Sequence, residues 1–129
     1  MSVFENFKAF NFEEGVPTVS ITKNGVNFNK AVVMKLGYPE YVQLLINDET
    51  KQVAVKVCSE DSENSVVFYK NKDTQKAIFV RWNVRDLLNT IVDFTGWDLS
   101  KASYKVCGSL IKEEKAILFD FNEAKPISY

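Results

Sequence analysis

The sequence predicts an α+β fold: a β-rich, barrel-like body of hairpins carrying two helices. Three features predict it. Short runs with β-branched residues at alternate positions recur between turn-forming residues, the pattern of half-buried strands. Two stretches with helical spacing of apolar residues each follow an asparagine and stop at a glycine plus an aromatic residue, Gly37-Tyr38 and Gly96-Trp97. The order strand, helix, hairpin in residues 18–57 returns in residues 77–121, as in an internally duplicated chain. At 129 residues the chain has the length of one domain, taken here as 1–129. A chain of that size buries roughly two-thirds of its unfolded surface and needs no metal or disulfide staple.

The first residues are rich in phenylalanine (Phe4, Phe7, Phe10, Phe12). Their spacing suits a short helix and then a strand, with the rings packed on the main body. Gly15-Val16-Pro17 marks a turn. Thr18–Thr22 alternates and is β-branched, so it reads as a strand. Lys23-Asn24-Gly25 is a turn, because Asn and Gly tolerate positive φ. Val26-Asn27-Phe28 is a second extended piece. Asn29 is placed to cap a helix over Lys30–Leu36, which Gly37 ends, with Tyr38 folding back on the last turn and Pro39 barring continuation. Tyr41–Ile46 and Gln52–Val57 form a hairpin. Cys58–Asn64 is a polar, acidic linker.

The second half opens with a hairpin of Val66–Tyr69 and Ala77–Arg81. Asn83 is placed to cap the second helix, with Asp86 in its first turn, where a carboxylate favours the helix dipole. Val84, Leu87, Leu88, Ile91 and Val92 fall at i, i+3, i+4, i+7 and i+8, one apolar face. Tyr104–Leu110 and Ala116–Phe121 make the last hairpin around Lys112-Glu113-Glu114.

Several chemistries drop out on composition. The chain has no histidine, which removes the usual general base, the usual zinc ligand and the Ser–His or Cys–His pair. Its two cysteines, Cys58 and Cys107, are far apart and read as free buried thiols rather than as a disulfide framework or a zinc site. No catalytic or phosphate-loop motif is present, so no cofactor, no metal and no enzymatic activity are expected. The nearest pair for acid–base work, Asp86 and Asp93, lies on the polar side of the second helix, where solvated charges belong. No stretch approaches the ~20 apolar residues of a spanning helix, and the N-terminus lacks a basic and apolar leader. The expectation is a cytoplasmic protein with no membrane partner.

The segment from Ile21 to Tyr38 (Ile-Thr-Lys-Asn-Gly-Val-Asn-Phe-Asn-Lys-Ala-Val-Val-Met-Lys-Leu-Gly-Tyr), followed by a hairpin, resembles the AbrB/SpoVT/MazE swapped-hairpin family. Gly25 matches that family's turn, Leu36-Gly37 its helix end and Val53–Val57 its final apolar strand. A degenerate second copy falls at 77–121. Phe28-Asn29 stands where the family commonly has Ile-Pro, and Lys30 and Lys35 stand where it usually has arginines. The resemblance implies interleaved hairpins and DNA binding. A chain with two such units would be either a monomer with a pseudo-two-fold repeat or a homodimer.

The function expected is therefore that of a non-enzymatic regulatory binding protein, and two targets are open. If the target is DNA, Lys23, Lys30, Lys35, Arg81 and Arg85 are the candidate contacts, since Lys and Arg neutralise phosphates and release counterions. Arg81 beside Trp82 would offer a stacking face. The net charge of −1 supplies no long-range attraction for a polyanion. If the target is a protein, an exposed aromatic or apolar patch is needed, with Tyr38, Tyr41, Trp82 and Trp97 as candidates. A continuous positive face would favour the first target and an apolar groove the second.

Overall fold

Alternating apolar residues commit much of the described chain to strands, and in the computed structural model those strands curl into an antiparallel half-barrel. The described residues are 3–9, 15–70 and 80–128. Among them are β1 (Thr18–Thr22), β2 (Gly25–Phe28), α1 (Lys30–Lys35), β3 (Tyr41–Asn47), β4 (Gln52–Val57) and β5 (Val66–Val67). Then come β6 (Val80–Trp82), α2 (Arg85–Thr95), β7 (Ala102–Ile111), β8 (Ala116–Asp120) and β9 (Lys125–Ser128). The strands follow the order β5-β3-β4-β8-β7-β1-β2-β6, with β9 also on β7.

One long strand holds the two halves together. The first part of β7 pairs with β1, Thr18 opposite Cys107, and its last part pairs with β8, Gly108 opposite Phe119. The switch falls at Gly108, whose N–H donates to the Pro17 carbonyl at 2.8 Å. A Cβ on Gly108 would lie 2.5 Å from Ile117 Cγ2 and 2.7 Å from Phe119 Cε1, so the corner requires a residue without a side chain.

The inward faces of the strands make the core. Ile21, Phe28, Val42, Val55, Val106, Ile117 and Phe119 are fully buried, joined by Val32 and Val33 of α1. Phe28 sits at the centre, its ring in contact with those of Phe68, Trp82 and Phe119. No buried side-chain polar atom among the described residues lacks a hydrogen-bond partner.

Asn29 fixes α1 in place. Its Oδ1 accepts from Val32 N at 3.2 Å, the expected N-cap bond, and also from Thr18 N at 3.0 Å. Its Nδ2 donates to the Val16 carbonyl at 3.0 Å, so one side chain ties the helix start to the entry of β1. The helix ends as expected: Gly37, at φ 80°, donates to Met34 O, and Tyr38 donates to Val33 O. These paired bonds satisfy two carbonyls of the last turn.

The second helix departs from expectation at its start. Asn83 does not cap it. Val84 occupies the N-cap position without any side-chain cap bond, and the helix begins at Arg85. Val84 is thereby outside the helix and 49% exposed, off the apolar face assigned to it. Ile91 is the buried anchor of α2, with Leu87, Leu88, Val92 and Phe94 half-buried beside the core. Gly96, at φ 77°, ends the helix through one bond to Val92 O. Trp97 N donates to Thr95 Oγ1, so the two Gly-aromatic ends use different bonding.

Four further expectations change. The hairpin of 66–69 with 77–81 is absent among the described residues: β5 pairs with β3, and β6 pairs with β2. Residues 77–79 lie outside the described residues. Phe68 and Tyr69 belong to no strand but are buried, and their N–H groups donate to Glu40 O and Pro39 O. Phe4 and Phe7 pack edge to face on each other and remain 68% and 71% exposed, in place of the expected packing on the body; Phe10 and Phe12 lie outside the described residues. Both cysteines are free, but Cys58 is half-buried and Cys107 exposed, so neither is a buried thiol. The last hairpin holds, with a 3₁₀ turn at Lys112–Glu114; β9 was not foreseen.

Candidate functional site

The path of strands has two ends, β5 and β6, and the curl of the sheet brings them face to face. Each is paired on one side only among the described residues, β5 with β3 and β6 with β2. The two ends meet through a side chain: Trp82 Nε1 donates to the Val67 carbonyl at 3.3 Å. The indole is held edge-on to Phe28 and Phe68, with ring centroids 5.0 and 5.8 Å away.

The register shows which side chains face in. Directly paired residues share a face. Val66 stands opposite buried Val42, and Trp82 opposite buried Val26, so both point into the half-barrel. Val67 stands opposite Tyr41, and Arg81 opposite Asn27, on the outer face. Between the two ends, at the mouth, opens an apolar groove of about 350 Å³ lined by Leu44, Val66, Val67, Trp82, Val84 and Leu87. Val66, Val67 and Val84 are each more than 40% exposed. The N-terminus of α2 forms the floor at one end.

Sequence reasoning found only Trp82 of these residues. It had placed Val66 and Val67 inside a hairpin and Val84 on a buried helix face. The sequence offers no local signal that separates Val66 and Val67 from the buried Phe68 and Tyr69 of the same apolar run.

The five candidate phosphate contacts fall into two groups. Lys23 lies in the turn joining β1 to β2, and a Cβ on Gly25 in that turn would touch Trp82 O and approach Asn83. Lys23 therefore shares an end of the molecule with Arg85, which opens α2, and Arg81 is on the outer face of neighbouring β6. Lys30 and Lys35 belong to α1, which begins two residues past the opposite end of β2. Arg81 and Trp82 point to opposite sides of their strand, so they form no joint stacking face.

The other aromatic candidates are engaged. Trp97 is half-buried and stacked against Tyr104 at 4.1 Å and Phe121 at 5.5 Å. Tyr38 is 46% exposed beside Tyr69 and does not line the groove. Burial, then the carboxylates of Glu60 and Glu40, push the Tyr41 hydroxyl above its ordinary range. Hydrogen bonds from the Ser100 hydroxyl and N–H hold the Asp98 carboxyl below the usual carboxylate range. Asp86 and Asp93 are both exposed; Asp93 borders an open cleft with Asp48, Glu49, Thr90 and Phe94. Among the described residues no group of carboxylates and thiols is arranged to hold a metal ion, and no helix is long and apolar enough to cross a membrane. No protein-family model, no curated protein and no solved structure matches this chain.

Proposed function

We propose that this protein is a non-enzymatic protein-interaction module, and that its docking site is the apolar groove at the mouth of the half-barrel. One observation carries the reading: three exposed valines and an indole line a groove between two strands that each have a side without a pairing partner among the described residues. Unpaired strand edges offer N–H and C=O groups to another chain, and apolar pockets beside them supply affinity. The split of the basic residues into two groups weighs against a continuous phosphate-binding face.

Val84→Asp tests the reading. The substitution places a charge in the groove, and an aspartate at that position also caps α2, so the variant stays folded. Affinity capture from native extract is expected to retain a protein with the wild type and lose it with Val84→Asp. Equal capture by both proteins rejects the groove as the docking site.

A second reading keeps DNA as the target. Its support is the shared end of Lys23, Arg85 and Arg81, together with the element order of residues 18–57, which follows the swapped-hairpin unit: strand, Gly25 turn, strand, helix ending Leu36-Gly37, hairpin. On this reading residues 77–121 are its degenerate copy, although their helix starts and stops differently. A titration with duplex DNA at ~50 mM salt, where phosphate contacts bind most tightly, separates the two readings. The protein-docking reading expects no saturable binding.

A further inference from the structure

We infer that the occupant of the groove is a second copy of this chain, docked mouth to mouth about a two-fold axis so that β5 of each protomer lies against β6 of the other. This inference rests on the protein-docking reading and names its partner.

The charges beside the groove carry the inference. The loop running into β5 holds Glu60, Asp61 and Glu63, all exposed. It is fastened beside the outer face of β3, where Gln43 Nε2 donates to Glu63 O at 2.7 Å, while Ser65 Oγ donates to Glu60 O at 2.9 Å. The opposite lip holds Arg81 on the outer face of β6 and Arg85 at the start of α2, both exposed. Among the described residues, Lys70 and Asp86 offset one charge on each lip without reversing either. One lip is thus acidic, the other basic, and the strip between them is apolar.

A surface with that pattern is complementary to itself. A two-fold axis through the groove brings the acidic lip of one protomer to the basic lip of the other, and does so twice. The same operation sets β5 beside β6 of the other protomer, each on the side that has no strand partner among the described residues. Two half-barrels facing each other share one apolar interior, so neither mouth stays open to water. A foreign nucleic acid would meet the basic lip only beside the acidic one. The lips and groove involve fewer residues than the ~20–30 a side of a standard interface, so the dimer is weak and reversible.

Sedimentation equilibrium of the full chain tests this. The expected result is a monomer–dimer equilibrium with a dissociation constant on the order of 10 µM at ~50 mM salt, weakening several-fold at ~500 mM because the lips are exposed. A charge exchange sharpens it. Asp61→Lys with Glu63→Lys makes both lips basic, and Arg81→Glu with Arg85→Glu makes both acidic. Each double variant alone is expected to dimerise about 10-fold more weakly, and a mixture of the two to form a one-to-one heterodimer. Thermal melts of each variant establish that it is folded.

Three results overturn the inference: a wild type that is monomeric at about 500 µM, a mixture that associates no better than its components, or a dimer indifferent to both charge changes and to Val84→Asp. If the wild type is monomeric yet loses a captured protein on Val84→Asp, the docking reading stands and the second copy is excluded. If it is monomeric and captures nothing through the groove, both fail.

Discussion

Asn29 makes more of this fold than any other single polar side chain described here. Removing it with Asn29→Ala strands the N–H of Thr18 and the carbonyl of Val16, and leaves the N–H of Val32 with only its bond to the Asn29 carbonyl. The expected cost is about 2 kcal/mol in urea denaturation, more than a simple cap. Asn29→Asp keeps the two accepted bonds and loses only the donated one, so it should cost about half as much. Gly108→Ala works by a different route, pushing a methyl group into Ile117 and Phe119, and should cost about 1–3 kcal/mol. Asp98 gives a pH signature. Its carboxyl is held down by Ser100, so its contribution to stability is present above the unfolded-state pKa and fades as pH falls through the lower folded value. Ser100→Ala should move the Asp98 titration upward toward the ordinary range, read by NMR. Of these residues only Asn29 was legible in the sequence, as a cap. Its second and third bonds are tertiary, and Gly108 looks like any strand glycine until β8 is seen packing over it.

At the scale of elements, local signals placed what local chemistry determines. The hairpins with Asx-rich or charged turns and the Gly-terminated helix ends are where they were expected. The failures share a cause: each depended on a partner distant in sequence. Val66–Val67 and Val80–Trp82 read as strands, but pairing them with each other assumed that sequence neighbours pair, whereas they close opposite ends of the sheet. Asn83 resembles a cap, yet it lies where the chain leaves β6, with Gly25 close by, and the helix starts one residue further on. The α2 start is therefore under-capped, and Val84→Asp should raise stability by about 1 kcal/mol, a gain of a few degrees in melting temperature. A fall in melting temperature would show that Val84 contributes more packing than its exposure suggests.

The whole molecule is a sheet with a centre and two ends of unequal security. Strands β4 and β8 are paired on both sides, whereas among the described residues β5 and β6 are each paired on one. Amides of β5 and β6 should therefore exchange by local opening, at least ~10-fold faster than those of β4 and β8. Trp82→Phe retains a ring against Phe28 and Phe68 but removes the bond to Val67. It should cost about 1 kcal/mol and speed exchange in β5 while leaving β4 unchanged. None of this was visible in the sequence, because an open edge is a property of the assembled sheet.

The pairing of β1 with β7 also bears on how the chain reaches this state. Thr18 waits for Cys107, and Gln52 waits for Asp120. On the ribosome, the first hairpin and α1 emerge long before the strand that completes their sheet. The early segments therefore spend most of synthesis with apolar strands uncovered, and the decisive contacts are among the longest-range in the chain. Such topologies fold in milliseconds to seconds rather than microseconds. This places the greatest risk of misassembly before residue 107 has been made, not in the finished protein.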